Sequence, residues 1–126
     1  MENDKEKFKR DFKRRLYSFT LQLIEFIDKL PNDNTSRRLG DQLIRSGTSI
    51  IGNYVEGQSA SSKKDFINYF TTSLKSANES KLWISLLKDT KRVQRKEADQ
   101  LLNELNELNE ISNIFGSSIL TLKKRR

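Results

Sequence analysis

From Phe12 onward the apolar positions are Phe12, Leu16, Phe19, Leu23, Phe26 and Leu30, at spacings of 4, 3, 4, 3 and 4. Residues three and four apart share one face of an α-helix, so this segment is a helix with a coiled-coil-like seam. Pro31, which cannot continue a helix interior, ends it. The turn "PNDNTS" follows, in which Asn, Asp, Thr and Ser can all cap a helix. The second segment carries two adjoining stripes, Leu39, Leu43, Ile50 and Tyr54, and beside them Ile44, Ile51 and Val55. Two stripes predict a helix buried on more than one side. The third segment opens with "SKKD", Ser62 to Asp65, which fits a capping box. Phe66, Phe70, Leu74, Ala77, Ile84 and Leu87 then follow helical spacing, and Ile67, Tyr69, Leu82, Trp83 and Leu86 widen the stripe. The fourth carries Leu101, Leu105, Leu108, Ser112, Phe115, Ile119 and Leu122. Its "LNELNELNE" is read as helix with leucines on one face and carboxylates on the other, because no architecture has a three-residue repeat of this kind.

The pattern predicts helices over approximately 5–30, 36–57, 62–88 and 95–122, joined by short polar turns, with no competing strand signal. The simplest arrangement is an all-α, up-down-up-down four-helix bundle over residues 1–126 as a single domain.

The stretch "RSGTSIIGNYVEG", Arg45 to Gly57, puts three glycines in the second helix. Gly47 and Gly52 have the spacing of a phosphate loop, but Asn53 and Tyr54 stand where its lysine and hydroxyl residue belong, so the nucleotide reading fails. Gly47 instead falls where the seam expects an apolar knob, between Leu43 and Ile50, with Ser46 and Ser49 close by. A mid-helix glycine costs about 1 kcal/mol against alanine, and the expected compensation is close approach by a neighbouring helix, within the bundle or from another subunit. A kink is the competing reading.

Composition narrows the chemistry. An apolar fraction of 34% beside a charged fraction of 33% suits a helical bundle with wet outer faces. There is no cysteine, hence no disulfide and no thiolate chemistry. The longest uncharged run, Ile111 to Leu122, reaches about 18 Å as helix against a hydrocarbon core of about 30 Å. The N-terminus "MENDKEKFKRDFKRR" has no signal-peptide core. These features predict a soluble, cytoplasmic protein with no membrane partner.

Histidine, the easiest general acid-base near neutral pH, is absent. Glu56, Asp65 and Glu79 are the acids that could gather to hold magnesium for phosphodiester hydrolysis. The structural reading is favoured: Asp65 caps a helix, and Glu56 and Glu79 pair with Arg45, Lys75 or backbone amides, since di-metal bundles carry a Glu-x-x-His that this chain lacks. No catalytic residue, metal or cofactor is therefore expected. Asn53 and Glu56 lie a turn apart on one face, and if buried both need partners, which an inter-subunit contact would supply.

"QLIRSGTSIIGNYVEG" followed by "SKKDFINYFTTSLKSANESKLWISLLKD" resembles the bacterial 23S rRNA intervening-sequence proteins. Arg45, Ser46, Ser49, Ile50, Asn53, Glu56 and Gly57 match that family's second-helix pattern. Asp65, Phe66, Glu79, Trp83, Leu86 and Leu87 match its third-helix pattern, with Ser76 slightly displaced. "IFGSSILTLKK" near the end of the fourth helix is similar as well, so the resemblance covers nearly the whole chain. It implies an up-down bundle that assembles into a ring, a homopentamer, without established enzymatic activity. It further implies kinship with the accessory protein of diversity-generating retroelements, which binds a reverse transcriptase and nucleic acid. On this footing Arg45, Gly47, Asn53, Glu56, Gly57, Glu79 and Trp83 are expected at helix-helix or subunit contacts.

The formal net charge of +7 bears on partners only if it is localised. In an up-down-up-down bundle both chain ends and the turn between helices two and three share one end of the molecule. Residues 1–15, Lys63, Lys64, Glu56, Asp65 and the tail Lys123–Arg126 hold thirteen bases against six acids, equal to the whole excess. Arg10, Lys13, Arg14, Arg15, Lys63, Lys64, Lys123 and Lys124 are the expected contacts to a phosphate backbone of RNA or DNA, with Phe8 as the aromatic placed to stack on a base. The bland reading of such runs is a solvated, frayed end. Three function classes follow: a non-enzymatic, homo-oligomeric bundle that binds nucleic acid and scaffolds a partner protein, a carboxylate-metal nuclease, and a protein-only adaptor.

Overall fold

A computed structural model describes the backbone of residues 2–124 and the side chains of residues 2–112. Four helices, α1 (Asp4–Asp28), α2 (Asn34–Gln58), α3 (Lys63–Asp89) and α4 (Arg95–Lys124), make an all-α four-helix bundle. Each helix packs on the next and α4 returns to α1. Cross-chain neighbours fix the directions. Along α1 and α2, Leu30 meets Gly40 and Leu23 meets Gly47. Along α2 and α3, Ser46 bonds Ser80 and Ser49 bonds Ser76. Along α3 and α4, Lys88 pairs with Asp99 and Asn78 meets Asn109. Along α1 and α4, Arg15 meets Glu104 and Lys29 meets Glu97. All four contacts are antiparallel, so the helices alternate up and down.

The caps follow from local sequence. Asn3, Asp33 and Ser62 are N-caps whose side chains accept from the amides of Glu6, Ser36 and Asp65. The Ser62 cap has only this half of a capping box; no bond from Asp65 back to the Ser62 amide is present among the described residues. At the other end of α3, Arg92 N–H donates to the Leu87 carbonyl and Lys91 N–H to the Lys88 carbonyl, both at 3.0 Å. That pair of bonds is a Schellman motif, and it puts Lys91 in the left-handed region at φ 60°.

Phe12, Leu16, Phe19, Leu23 and Phe26 of the α1 seam are buried together with Leu43, Ile50 and Tyr54 of α2, Phe70, Ala77, Ile84 and Leu87 of α3, and Leu101, Leu105 and Leu108 of α4. Phe115, Ile119 and Leu122 lie outside the described side chains. The second stripes behave differently. Ile44 and Ile51 are only half-buried, and Val55, Tyr69, Leu82 and Leu86 are exposed, as are Tyr17, Leu21 and Ile24 on α1. A helix with two neighbours buries one face, so within a single chain the extra stripes stay at the surface. The expectation of burial on more than one side is corrected to that extent.

Candidate functional site

Small residues set the spacing of the helices that carry the motif. Ser46, Ser73, Ser76 and Ser80 are buried. Ser46 and Ser80 hydroxyls share a 2.8 Å bond, Ser76 Oγ donates to Ser49 Oγ at 2.8 Å, Ser73 Oγ to the Ile50 carbonyl at 2.7 Å, and Ser80 Oγ to the Ser76 carbonyl at 2.8 Å. Each hydroxyl taken from water thus has a partner, as burial requires. Gly47 faces the other side. A Cβ there would collide with Leu23 Cδ2, so the close approach is to α1 within the chain, and α2 runs through this position as unbroken helix. Gly57 is likewise buried, with the Tyr69 Cβ and the Phe66 ring against it at the start of α3.

The remaining motif residues share the outer surface along the α2–α3 seam. Asn53, half-buried, donates from Nδ2 to the Ser49 carbonyl and to Ser49 Oγ, both at 2.8 Å, and so is satisfied inside the chain. Trp83 Nε1 donates to Glu79 Oε1 at 3.3 Å. Arg45 and Glu56 are exposed, and neither they nor Glu79 takes part in a salt bridge among the described residues. The expected pairing of Glu56 and Glu79 with Arg45 or Lys75 is therefore corrected. Gly52 is exposed as well, with nothing within 4 Å of an added Cβ. One side of this pair of helices thus presents a cation and two carboxylates that enter no salt bridge among the described residues, a half-buried tryptophan and the exposed Leu82 and Leu86.

The basic end divides into engaged and free cations. Arg15 bonds Glu104 through Nε at 2.8 Å and also binds Glu107, and these bonds raise its guanidinium pKa above the usual value. Its task is to tie α1 to α4. Arg10 pairs with Glu2 at 2.6 Å and lies 3.6 Å from Asp11. Lys13, Arg14, Lys63 and Lys64 are exposed and enter no salt bridge among the described residues. The side chains of Lys123 and Lys124 lie outside the described residues. Glu104 and Glu107 also belong to this side of the molecule, and Glu110 lies further along α4 toward the same end, so the localised excess is smaller than the sequence count. Phe8 stacks on Phe12 with ring centroids 6.1 Å apart and planes at 3°, and its ring remains partly in water.

The metal reading fails on distance. Asp65 and Glu79 are fourteen residues apart on one continuous helix, about 21 Å along its axis, so Glu56, Asp65 and Glu79 cannot share an ion. Among the described residues no group of three or more His, Cys, Asp or Glu is placed to hold a metal. No helix among them is long and apolar enough to cross a membrane.

Comparison with known proteins gives this bundle its family. Residues 9–113 match the family described as 23S rRNA-intervening sequence protein. The chain belongs to that family. A solved structure of a protein of unknown function from the S23 ribosomal protein family of Bacteroides thetaiotaomicron is 30% identical, with a TM-score of 0.78, covering 83% of this chain and 97% of that one. No curated protein matches the chain.

The family match contains all of α2 and α3, and with them the serine-lined seam and its outer motif face. Sequence reasoning missed two elements of this site. Ser46, Ser49 and Ser76 stand out as motif residues, but Ser73 and Ser80 are given no role there, although the helical spacing from Ser73 through Ser76 to Ser80 is a usable signal. The Arg15–Glu104 pair spans 89 positions and becomes visible only once the register of α4 against α1 is fixed.

Proposed function

We propose that this intervening-sequence family member is a non-enzymatic scaffold that self-associates into a ring and holds RNA or DNA by its phosphate backbone at the end bearing Lys13, Arg14, Lys63 and Lys64. A protein partner, such as the reverse transcriptase that the resemblance implies, would ride on the same assembly. The observation that carries the reading is that these four cations are exposed and enter no salt bridge among the described residues, at the end that holds the larger basic excess by sequence. At the opposite end Lys88 pairs with Asp99, Lys29 and Arg92 lie within 4 Å of Glu97 and Asp33, and Arg37, Arg38, Lys91, Arg95 and Lys96 enter no salt bridge either. Lys63 and Lys64 also occupy the first turn of α3, where the helix macrodipole disfavours cations. Self-association is supported by the exposed apolar side chains on α1, α2 and α3, which a single chain leaves in water.

The test is the salt dependence of binding to a labelled single strand, followed by fluorescence anisotropy. For the quadruple variant Lys13→Gln, Arg14→Gln, Lys63→Gln, Lys64→Gln, the slope of log affinity against log salt should flatten by about 0.7 for each phosphate no longer neutralised. Affinity should fall alike for unrelated sequences, because binding to the backbone carries no sequence information. The double variant Arg95→Gln, Lys96→Gln at the far end should leave the slope unchanged. Equal losses of affinity in the two variants would overturn the assignment of the basic end. Affinity no greater than that of an unrelated protein of equal charge would instead favour a protein-only adaptor.

A further inference from the structure

At the end of the bundle remote from Lys13 and Lys63, a cavity of about 370 Å³ is lined by residues that include Phe26, Lys29, Lys91, Arg92, Val93 and Glu97. A neighbouring cavity of about 290 Å³ shares Phe26, Lys29 and Glu97 with it. The lining carries three cations and one carboxylate, an excess of two positive charges.

Two of these cations stand at ion-pair distance from an acid without a hydrogen bond to it. Asp33 commits Oδ1 to the Ser36 amide at 2.8 Å and Oδ2 to the Ser36 hydroxyl at 2.9 Å, because it caps α2. Arg92 Nη2 lies 3.9 Å from Asp33 Oδ1, within ion-pair distance and beyond hydrogen-bond reach. Arg92 Nε has almost no accessible surface and no hydrogen-bond partner among the described residues, so the part of the guanidinium open to a ligand is its Nη end. Lys29 Nζ likewise stops 3.7 Å from Glu97 Oε1. A guanidinium is a planar fork of donors, and a buried donor without an acceptor is destabilising. The backbone adds a second cost at the same place. Lys91 occupies the left-handed position of the Schellman turn, normally glycine's, and that turn sets Lys91 beside Arg92.

We propose that this cavity binds a phosphate monoester, with the Arg92 fork donating to two of its oxygens and Lys29 and Lys91 balancing its charge. A monoester carries about −1.5 to −2 at neutral pH, matching the lining, whereas a backbone diester carries one charge. The group comes either from a small free phosphate or from the terminal phosphate of a nucleic acid. The site stands apart from the basic end that holds a phosphate backbone, since none of its residues belongs there.

The Arg92 Nε–H resonance reports on the guanidinium that lines the cavity. It is followed in ¹⁵N-labelled full-length protein during titration with inorganic phosphate at constant ionic strength set by chloride. A saturable shift is expected. Lys29→Gln, at an exposed position that leaves the core intact, should weaken it at least about tenfold, or about 1.4 kcal/mol, while Lys96→Gln, outside the lining, should not. A short oligoribonucleotide with a 5′-phosphate is then compared with the same strand ending in a 5′-hydroxyl. Given a saturable shift with inorganic phosphate, a shift with the 5′-phosphate strand and not with its 5′-hydroxyl counterpart assigns the terminal phosphate as the source; a shift with neither strand assigns a free small phosphate. Absence of a saturable shift with inorganic phosphate, equal weakening in the two lysine variants, or an equal response to the 5′-hydroxyl strand would overturn the proposal.

Discussion

Gly47 and Gly52, five residues apart on α2, have contrasting surroundings: Leu23 fills the space beside Gly47, and nothing lies within 4 Å of an added Cβ at Gly52. Alanine gains about 1 kcal/mol of helix propensity at either position. At Gly47 that gain is opposed by overpacking against a fully buried leucine, which typically costs about 1 to 3 kcal/mol. Gly47→Ala should therefore lower the urea midpoint and Gly52→Ala should raise it, the latter by up to about 1 kcal/mol. A stabilised Gly47 variant would show that Leu23 moves aside freely and that no close approach is required. Tyr54 gives a second residue-scale test. Burial pushes its phenol up to about 12, while its hydroxyl reaches the Lys9 carbonyl only at 3.4 Å. The unfolded chain releases this proton near pH ~10, so the folded state holds it more tightly and stability is lost as pH rises from about 10 toward 12. In an ultraviolet titration one of the three tyrosines should ionise late, and the late component should vanish in Tyr54→Phe. Three phenols ionising together before unfolding would contradict the burial of Tyr54.

At the scale of the elements, the apolar seams were readable because a 3.6-residue period maps directly onto a buried face. α1 illustrates this: each seam residue from Phe12 to Phe26 is buried. The α2–α3 pairing was not readable, because serine is neutral to periodicity and its role depends on what stands across the gap. Ser80, fully buried, bonds both Ser46 and the Ser76 carbonyl. Ser80→Ala should cost about 1 kcal/mol for each bond removed, and Ser80→Leu more, because it forces apart two helices spaced by small residues. Thermal unfolding of the two variants checks the order. A Ser80→Leu variant as stable as wild type would mean that α2 and α3 are not held at close range. The basic end was only partly legible for a related reason. Charge counting by chain position located Lys13 and Arg14 correctly, yet it could not register that Glu104 and Glu107 of α4 fall opposite Arg15.

For the whole molecule, two surfaces remain without partners inside one chain. One is the apolar and motif-bearing outside of α1, α2 and α3, with Tyr17, Leu21, Val55, Leu82 and Leu86 in water. The other is the group of unpaired cations formed by Lys13, Arg14, Lys63 and Lys64. Repetition of the chain around a ring would cover the first and multiply the second, turning four unpaired bases into a field that attracts a phosphate backbone over a distance of about 10 Å at moderate salt. Assembly and binding are coupled on this footing. The measurement that tests the coupling most directly is the native mass of the purified protein with and without a single-stranded RNA. The predicted result is a ring whose mass is an integer multiple of the 14.7 kDa chain, shifted by the mass of bound RNA, with the quadruple Lys13, Arg14, Lys63, Lys64→Gln variant keeping the ring and losing the RNA. A 14.7 kDa monomer at micromolar concentration, unchanged by RNA, would contradict it.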